Sequence, residues 1–375
     1  MNMNPAPRSP SALRALRTAA SVLYLAAAGV HAAAPQYAVS VVKEDSRVDI
    51  GGGAYFKYSF YGLSMNDAGK VLVVESTSGA QYVTRYAVYS KNGERQKDMT
   101  CLDYYGAAVG INNFGDVARY CDLQPERVTS SVVKGKGFDA EIHGFDDPGD
   151  VTDGFFADAW AYGLSDNGYV VGAASGEIQV RYRGFIRNPD DSMLEIGTFG
   201  GERSEAKAVN SKGVAVGWAE TSDGSQHAFK CRSGLLIDIG TLGGKTSYAT
   251  DINDAGQVLG SAEDTTGMTK AFIHQGSKLT AIPAPADAQT YGEAINRRGW
   301  AVGRYRMGSG ESGGFLYDGA NFYKINELLA EADADWKIEG VSDINNHGWI
   351  LAKGRRKGAE FSAVILLRPL QPAQP

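Results

Sequence analysis

The chain has 375 residues, 47 of them glycine, about one in eight against a usual share of roughly 7%. Hydrophobic residues make up 43%, enough for a packed core, and the 12 prolines keep the chain outside the composition of low-complexity disorder. With 37 basic and 43 acidic side chains the net charge is -6, which gives no basic field for phosphate backbones and excludes nucleic acid as an expected partner.

Arg8, Arg14 and Arg17 precede an apolar, alanine-rich run over 19–30, and small residues follow around Ala32. That order is an export signal, taken as residues 1–32. The run is shorter than the roughly 20 residues of a bilayer-spanning helix, so a retained anchor is the minor alternative and no stable membrane span is expected. The expected product is secreted or periplasmic and monomeric. It has one repeat domain over 35–370 and a disordered tail at 371–375. In an oxidising compartment Cys101 and Cys121 can form a disulfide, leaving Cys231 over; the alternative is a pair of small buried thiols.

From residue 37 onward one unit recurs. Its anchoring glycines are Gly69, Gly115, Gly168, Gly213, Gly256, Gly299 and Gly348, separated by 46, 53, 45, 43, 43 and 49 residues. Three residues earlier stand Asn66, Asn112, Asn210, Asn253, Asn296 and Asn345, with Ser165 as the one departure. Asn can bond the backbone two residues on and Gly can adopt positive φ, so each Asn-x-x-Gly segment predicts a tight hairpin turn. Apolar runs on both sides predict buried strands. Seven residues before the glycine sit Gly62, Ala108, Ala161, Ala206, Ala249, Gly292 and Val341. Small residues there predict crowding where strands converge on an axis.

A third strand follows, clearest at His227-Ala228-Phe229, and a fourth, clearest in LLIDIGTLGG. Four strands in about 43 residues is the size of a propeller blade. The predicted fold is therefore all-β, a β-propeller of seven four-stranded blades. The last unit supplies three strands, and the isolated run Tyr37 to Val42 is expected to complete it and close the ring. A β-solenoid is the alternative.

The segment DIGTLGGKTSYATDINDAGQVLGSA and the literal His227-Ala228-Phe229 resemble the HAF repeat of exported bacterial proteins, most specifically over 184–318. The resemblance implies an extracellular or periplasmic repeat protein of propeller form. It brings no common reaction, cofactor or catalytic residue.

The residues add little chemistry. His143, His227, His274 and His347 lack metal-ligand spacing, so no metal or other cofactor is implied. The acidic segment 146–153 departs from the calcium-loop template and reads as a solvated insertion. No Gly-x-Ser-x-Gly elbow or nucleophile with a histidine base can be assembled. Chain order puts the Asn turns and third-to-fourth turns on one face. The segments AETSDGSQ, SAEDTTGMT and RYRMGSGESG fall on the other, with Trp160, Trp218, Tyr248, Tyr291, Arg304 and Arg306. Variable loops and aromatic or arginine anchors point to binding there, of a polysaccharide or an envelope protein. An extracellular lyase or hydrolase acting on a polysaccharide is the alternative function.

Overall fold

The Asn-x-x-Gly segments fold as tight turns. The computed structural model describes residues 34–51, 54–79, 83–99, 106–124, 127–133, 140–142, 159–175 and 182–371, with Pro35–Pro375 as one compact unit. All seven anchoring glycines lie at positive φ, from 71° at Gly213 to 84° at Gly168, a region that residues bearing a Cβ rarely adopt. The asparagine Oδ1 braces its own turn. In Asn345 it accepts from the N–H groups of His347 and Trp349, both at 3.0 Å.

The other end of each amide leaves its turn. Asn66 Nδ2 donates to the carbonyl of Asn112 at 3.1 Å, and Asn112 to that of Ser165 at 3.3 Å. Asn210 donates to Asn253 at 3.1 Å, Asn253 to Asn296 at 2.9 Å, Asn296 to Asn345 at 3.1 Å, and Asn345 to Asn66 at 3.3 Å. Ser165 has no amide to offer, and Asn167 Nδ2 makes that link instead, to the carbonyl of Ser211 at 2.8 Å. The links run round all seven turns and return to the first.

Among the described residues the strands form seven antiparallel sheets. Numbered along the chain, sheet 1 spans 46–98, sheet 2 106–142, sheet 3 159–196, sheet 4 200–240, sheet 5 243–281, sheet 6 288–324 and sheet 7 336–369. The strand before each Asn turn, innermost in sheets 2 to 7, is followed outward by the second, third and outer strands. The core is divided into seven apolar slabs, one in each gap between successive sheets. The slab joining the last sheet to the first sets Leu351, Val364 and Leu366 against Phe60, Val71 and Val73.

The N-terminal strand runs Tyr37–Glu44 and pairs antiparallel with Ala363–Pro369, supplying the outer strand of sheet 7. Asp45, buried just after it, accepts from the Phe60 N–H of sheet 1 at 2.7 Å and pairs with Lys353 Nζ of sheet 7 at 3.2 Å.

Three expectations change. The small residues seven before each glycine answer to the preceding sheet, not to crowding at the axis. A Cβ on Gly62 would lie 2.7 Å from Leu351, and one on Gly292 2.6 Å from Leu259. Where the position carries Val341, the preceding sheet offers Gly314, whose own Cβ would meet Val341 at 2.8 Å. Second, half or more of each of the segments AETSDGSQ, SAEDTTGMT and RYRMGSGESG is strand. Their strands run to Thr221, Asp264 and Met307, and tight turns follow in which Gly224, Gly267 and Gly310 sit at φ 82°, 80° and 90°. Asp264 Oδ1 braces its turn as the asparagines do, through the N–H groups of Thr266 and Met268. Third, sheet 1 has a fifth strand, Ser46–Gly51, on the axial edge of Ala54–Met65.

Sheets 3 to 6 share a further device. Gly172, Gly217, Gly260 and Gly303 of the second strands pair with Phe185, Phe229, Phe272 and Phe315, all fully buried. A Cβ on these glycines would lie 1.9–2.1 Å from the carbonyl oxygens of Trp160, Glu205, Tyr248 and Tyr291.

Removing residues 35–44 strips sheet 7 of its outer strand and opens an edge, and calorimetry of the truncated chain should show a melting temperature lower by roughly 10 °C or more. A truncated chain as stable as the full one refutes the role given to that strand. Gly260→Ala should cost about 3 kcal/mol or more in denaturant unfolding, because backbone must move. Gly340→Ala, where a Cβ meets nothing within 4 Å, should cost little. Equal losses would show that the close approach at Gly260 is not what selects glycine.

Candidate functional site

Every inner strand is irregular at the same place. Pairing with the second strand shifts between Gly62 and Ser64, Ala108 and Gly110, Ala161 and Gly163, Ala206 and Ala208, Ala249 and Asp251, Gly292 and Ala294, and Val341 and Asp343. The skipped residues are Leu63, Val109, Tyr162, Lys207, Thr250, Glu293 and Ser342, six before each anchoring glycine. A bulge frees its extra residue from the ladder and re-aims the side chain. Here it does so seven times in one register, so seven side chains of unrelated chemistry are presented at one level.

Four of them share a cavity of about 330 Å³. Tyr162, Lys207, Thr250 and Glu293 line it with Trp218, Tyr248 and Ala249. A gap between neighbours touches two sheets; this cavity touches sheets 3, 4, 5 and 6 and so lies on the axis. Lys207 Nζ stands 4.0 Å from the Tyr162 ring centroid and forms an ion pair with Glu205. Glu293 lies 3.5 Å from Arg304 Nε, whose guanidinium in turn sits 4.8 Å from the Tyr291 ring centroid. Burial pushes the Glu293 carboxyl above its usual range, and Arg304 offsets part of that. Burial, helped by Glu205, likewise raises the Tyr162 phenol.

Of the residues singled out in the sequence, Trp218 and Tyr248 line this cavity. Trp218 is 6% exposed, with Tyr182 edge-on at 6.3 Å; Tyr248 is 36% exposed. Arg304 reaches the cavity only through Glu293, and Trp160, Tyr291 and Arg306 do not line it. Sequence reasoning missed Tyr162, Lys207, Thr250 and Glu293. Their signal is a position of free variation, Leu, Val, Tyr, Lys, Thr, Glu and Ser, directly after the near-constant small residue.

The opposite end of the axis is a smaller dimple of about 160 Å³ among the Asn turns. Its polar groups are consumed by the turns: the Asp67 N–H donates to Asn113 Oδ1, that of Asn113 to Asp166 Oδ1, and that of Asn346 to Asp67 Oδ1, all at 2.7–2.8 Å. Met65, Ile111, Ile295 and Ile344, each buried, border it as an apolar collar.

The three histidines among the described residues do not line the cavity. His227 Nδ1 is 2.8 Å from Asp238 Oδ2, His347 lies in its turn, and burial holds the His274 ring below its usual range. Burial raises the free Cys231 thiol. Among the described residues no three His, Cys, Asp or Glu side chains are placed to hold a metal ion. Cys101, His143 and the acidic segment 146–153 lie outside the described residues, and with Cys101 so does the proposed disulfide to Cys121. Among the described residues no helix is long and apolar enough to cross a membrane.

No protein-family model matches the sequence, and no curated protein matches it either. Solved structures do. The β-propeller domain of the trilobed protease from Pyrococcus furiosus is similar at a TM-score of 0.58 and 12% identity, over 85% of this chain and 99% of that one. The fold is a β-propeller. A puromycin hydrolase mutant complexed with PGG is similar at a TM-score of 0.50 and 10% identity, over 89% of this chain and 54% of the hydrolase, so the propeller spans about half the length of that enzyme. At such identities the likeness concerns the fold alone.

Two half-buried carboxylates bind blade to blade. Asp251 accepts from the N–H of Ile295 and Asp343 from that of Met65, both at 2.7 Å. Burial lifts Asp251 to about 7, with Asp343 adding, and lifts Asp343 to about 6, with Asp67 adding. A folded-state pKa above the unfolded value means stability fully present below about pH 4 and lost as pH rises through about 7. Asp251→Asn removes that dependence. Its stability relative to the native protein should rise between pH 4 and 8 by on the order of 2 kcal/mol, read from denaturant midpoints. Parallel pH profiles would show that Asp251 does not titrate in this window.

Proposed function

We propose that this protein is an exported binding module of the HAF-repeat type, acting in the periplasm or outside the cell, with its ligand seated in the axial cavity on the face opposite the Asn turns. The observation that supports the reading is the convergence of four inner strands on one cavity, where aromatic surface at Trp218 and Tyr248 adjoins the polar groups of Lys207, Thr250 and Glu293. Concave sites with apolar walls and a few convergent polar groups are where small ligands and chain ends bind. The repeats supply rigidity, and the bulge position supplies variation without disturbing the pairing on either side. Export rests on the N-terminal Arg-rich and apolar segment, and the ligand classes that suit this compartment are a polysaccharide or an envelope protein.

The test is a glycan array and an envelope pull-down with the chain lacking residues 1–32, repeated with Tyr248→Ala, Lys207→Ala and Phe114→Ala. Phe114 is 70% exposed in an Asn turn and serves as the control for the other face. Losses of about tenfold for the first two variants with Phe114→Ala unchanged support the axial site. The opposite pattern rejects it, and turnover of a bound polysaccharide would replace the binding reading with an enzymatic one.

A further inference from the structure

We propose that the axial cavity takes an uncharged sugar ring of a neutral oligosaccharide; this rests on the axial-site reading and narrows it to one chemistry. The charges bordering the cavity are already matched. Lys207 is paired with Glu205 and Glu293 with Arg304, and nearby Arg203 is 2.8 Å from Glu220. An anionic ligand would have to part Lys207 from Glu205, or bring a second negative charge beside Glu293 where burial already disfavours one. A cationic ligand would meet Lys207, which lines the cavity. Parting the half-buried Lys207–Glu205 pair leaves a charge uncompensated, and Lys207 itself repels a cation, so the arrangement discriminates against ions of either sign.

Hydrogen-bonding capacity remains after the pairing. The Lys207 ammonium has three donors, the Glu293 carboxylate about four acceptor sites, and the Thr250 hydroxyl, which donates to the Leu259 carbonyl at 3.3 Å, keeps its lone pairs. Donors stand on sheet 4 and acceptors on sheets 5 and 6, a division suited to hydroxyl groups, which both give and accept. Between them Tyr248, 36% exposed, and the nearly buried Trp218 offer apolar surface for the C–H face of a ring. A volume of about 330 Å³ is at the small end of ligand sites, on the order of one or two sugar rings.

Titration calorimetry of the chain lacking residues 1–32 would use cello-, malto-, laminari- and xylo-hexaose as neutral probes, and hexagalacturonate and hexamannuronate as acidic ones, at about 50 and about 500 mM salt. Expected is binding of at least one neutral hexaose with less than about twofold change in Kd across that range, and loss of about tenfold or more in Tyr248→Ala and in Thr250→Trp, which fills the cavity. Binding confined to an acidic hexamer, weakening steeply with salt and lost in Lys207→Ala, overturns the neutral-sugar inference and leaves the axial site standing. Binding of no neutral hexaose, with envelope-protein capture lost in Tyr248→Ala, does the same. A neutral hexaose whose affinity neither Tyr248→Ala nor Thr250→Trp alters overturns both, since the sugar then binds elsewhere. Far-ultraviolet circular dichroism and melting temperature of each variant separate a lost site from a lost fold.

Discussion

One primary amide, used twice, sets the spacing of this molecule. The Oδ1 of each repeat asparagine holds its own turn, and the Nδ2 holds the next turn at hydrogen-bonding distance, so local geometry and blade-to-blade geometry are fixed by the same side chain. The asparagines are 3–5% exposed, and a buried amide left unsatisfied at either end costs about 1–3 kcal/mol. Aspartate could brace the turn but has no donor for the link. At Ser165 the hydroxyl does brace the turn, through the N–H of Tyr169, and the donor moves to Asn167. The two duties are separable, and both are kept.

Outward from that ring the tripeptide His-Ala-Phe has a different task at each position. The phenylalanine covers the second-strand glycine, where no Cβ is tolerated. The N–H of Ala228 donates to Ser247 Oγ of the next blade at 2.8 Å, and Ser247 donates onward to the carbonyl of Gly240 at 2.7 Å. Ala271 uses Thr290 and Gly184 uses Ser204 in the same manner. His227 braces Asp238 within its own blade. The repeat is therefore a specification for docking against a neighbour, which explains why it is strictest where the neighbours are also strict.

How much of this the sequence reveals depends on whether a feature is written along one strand or between two. Turns are written along the chain: Asn253 and Gly256 announce the hairpin, and the apolar pairs on either side announce the strands. Closure was legible too, from a three-stranded end and a lone strand at the start. The bulge was not, since the exclusion of Lys207 or Glu293 from pairing is a property of two strands together. The hairpins at Asp223 and Thr265 read as loops because their polar, glycine-bearing composition is common to both. Two of the six residues expected at the site line the cavity, Trp218 and Tyr248; the others share their face and their composition, but composition does not place a side chain on an axis.

The pairing of Tyr37–Glu44 with Ala363–Pro369 joins segments more than three hundred residues apart in the chain. Bringing such distant ends together costs about 5 kcal/mol of chain entropy before any contact repays it, and pairings of that range are slow to form. The first strand to leave the ribosome is thus the last to be placed. Until the final blade exists, Val39, Val41 and Val42 belong to an unpaired segment of high β-propensity, which other chains can pair with as readily as this one. Assembly of the ring is in this sense a race between its own two ends and its neighbours, and slow dilution should favour the former.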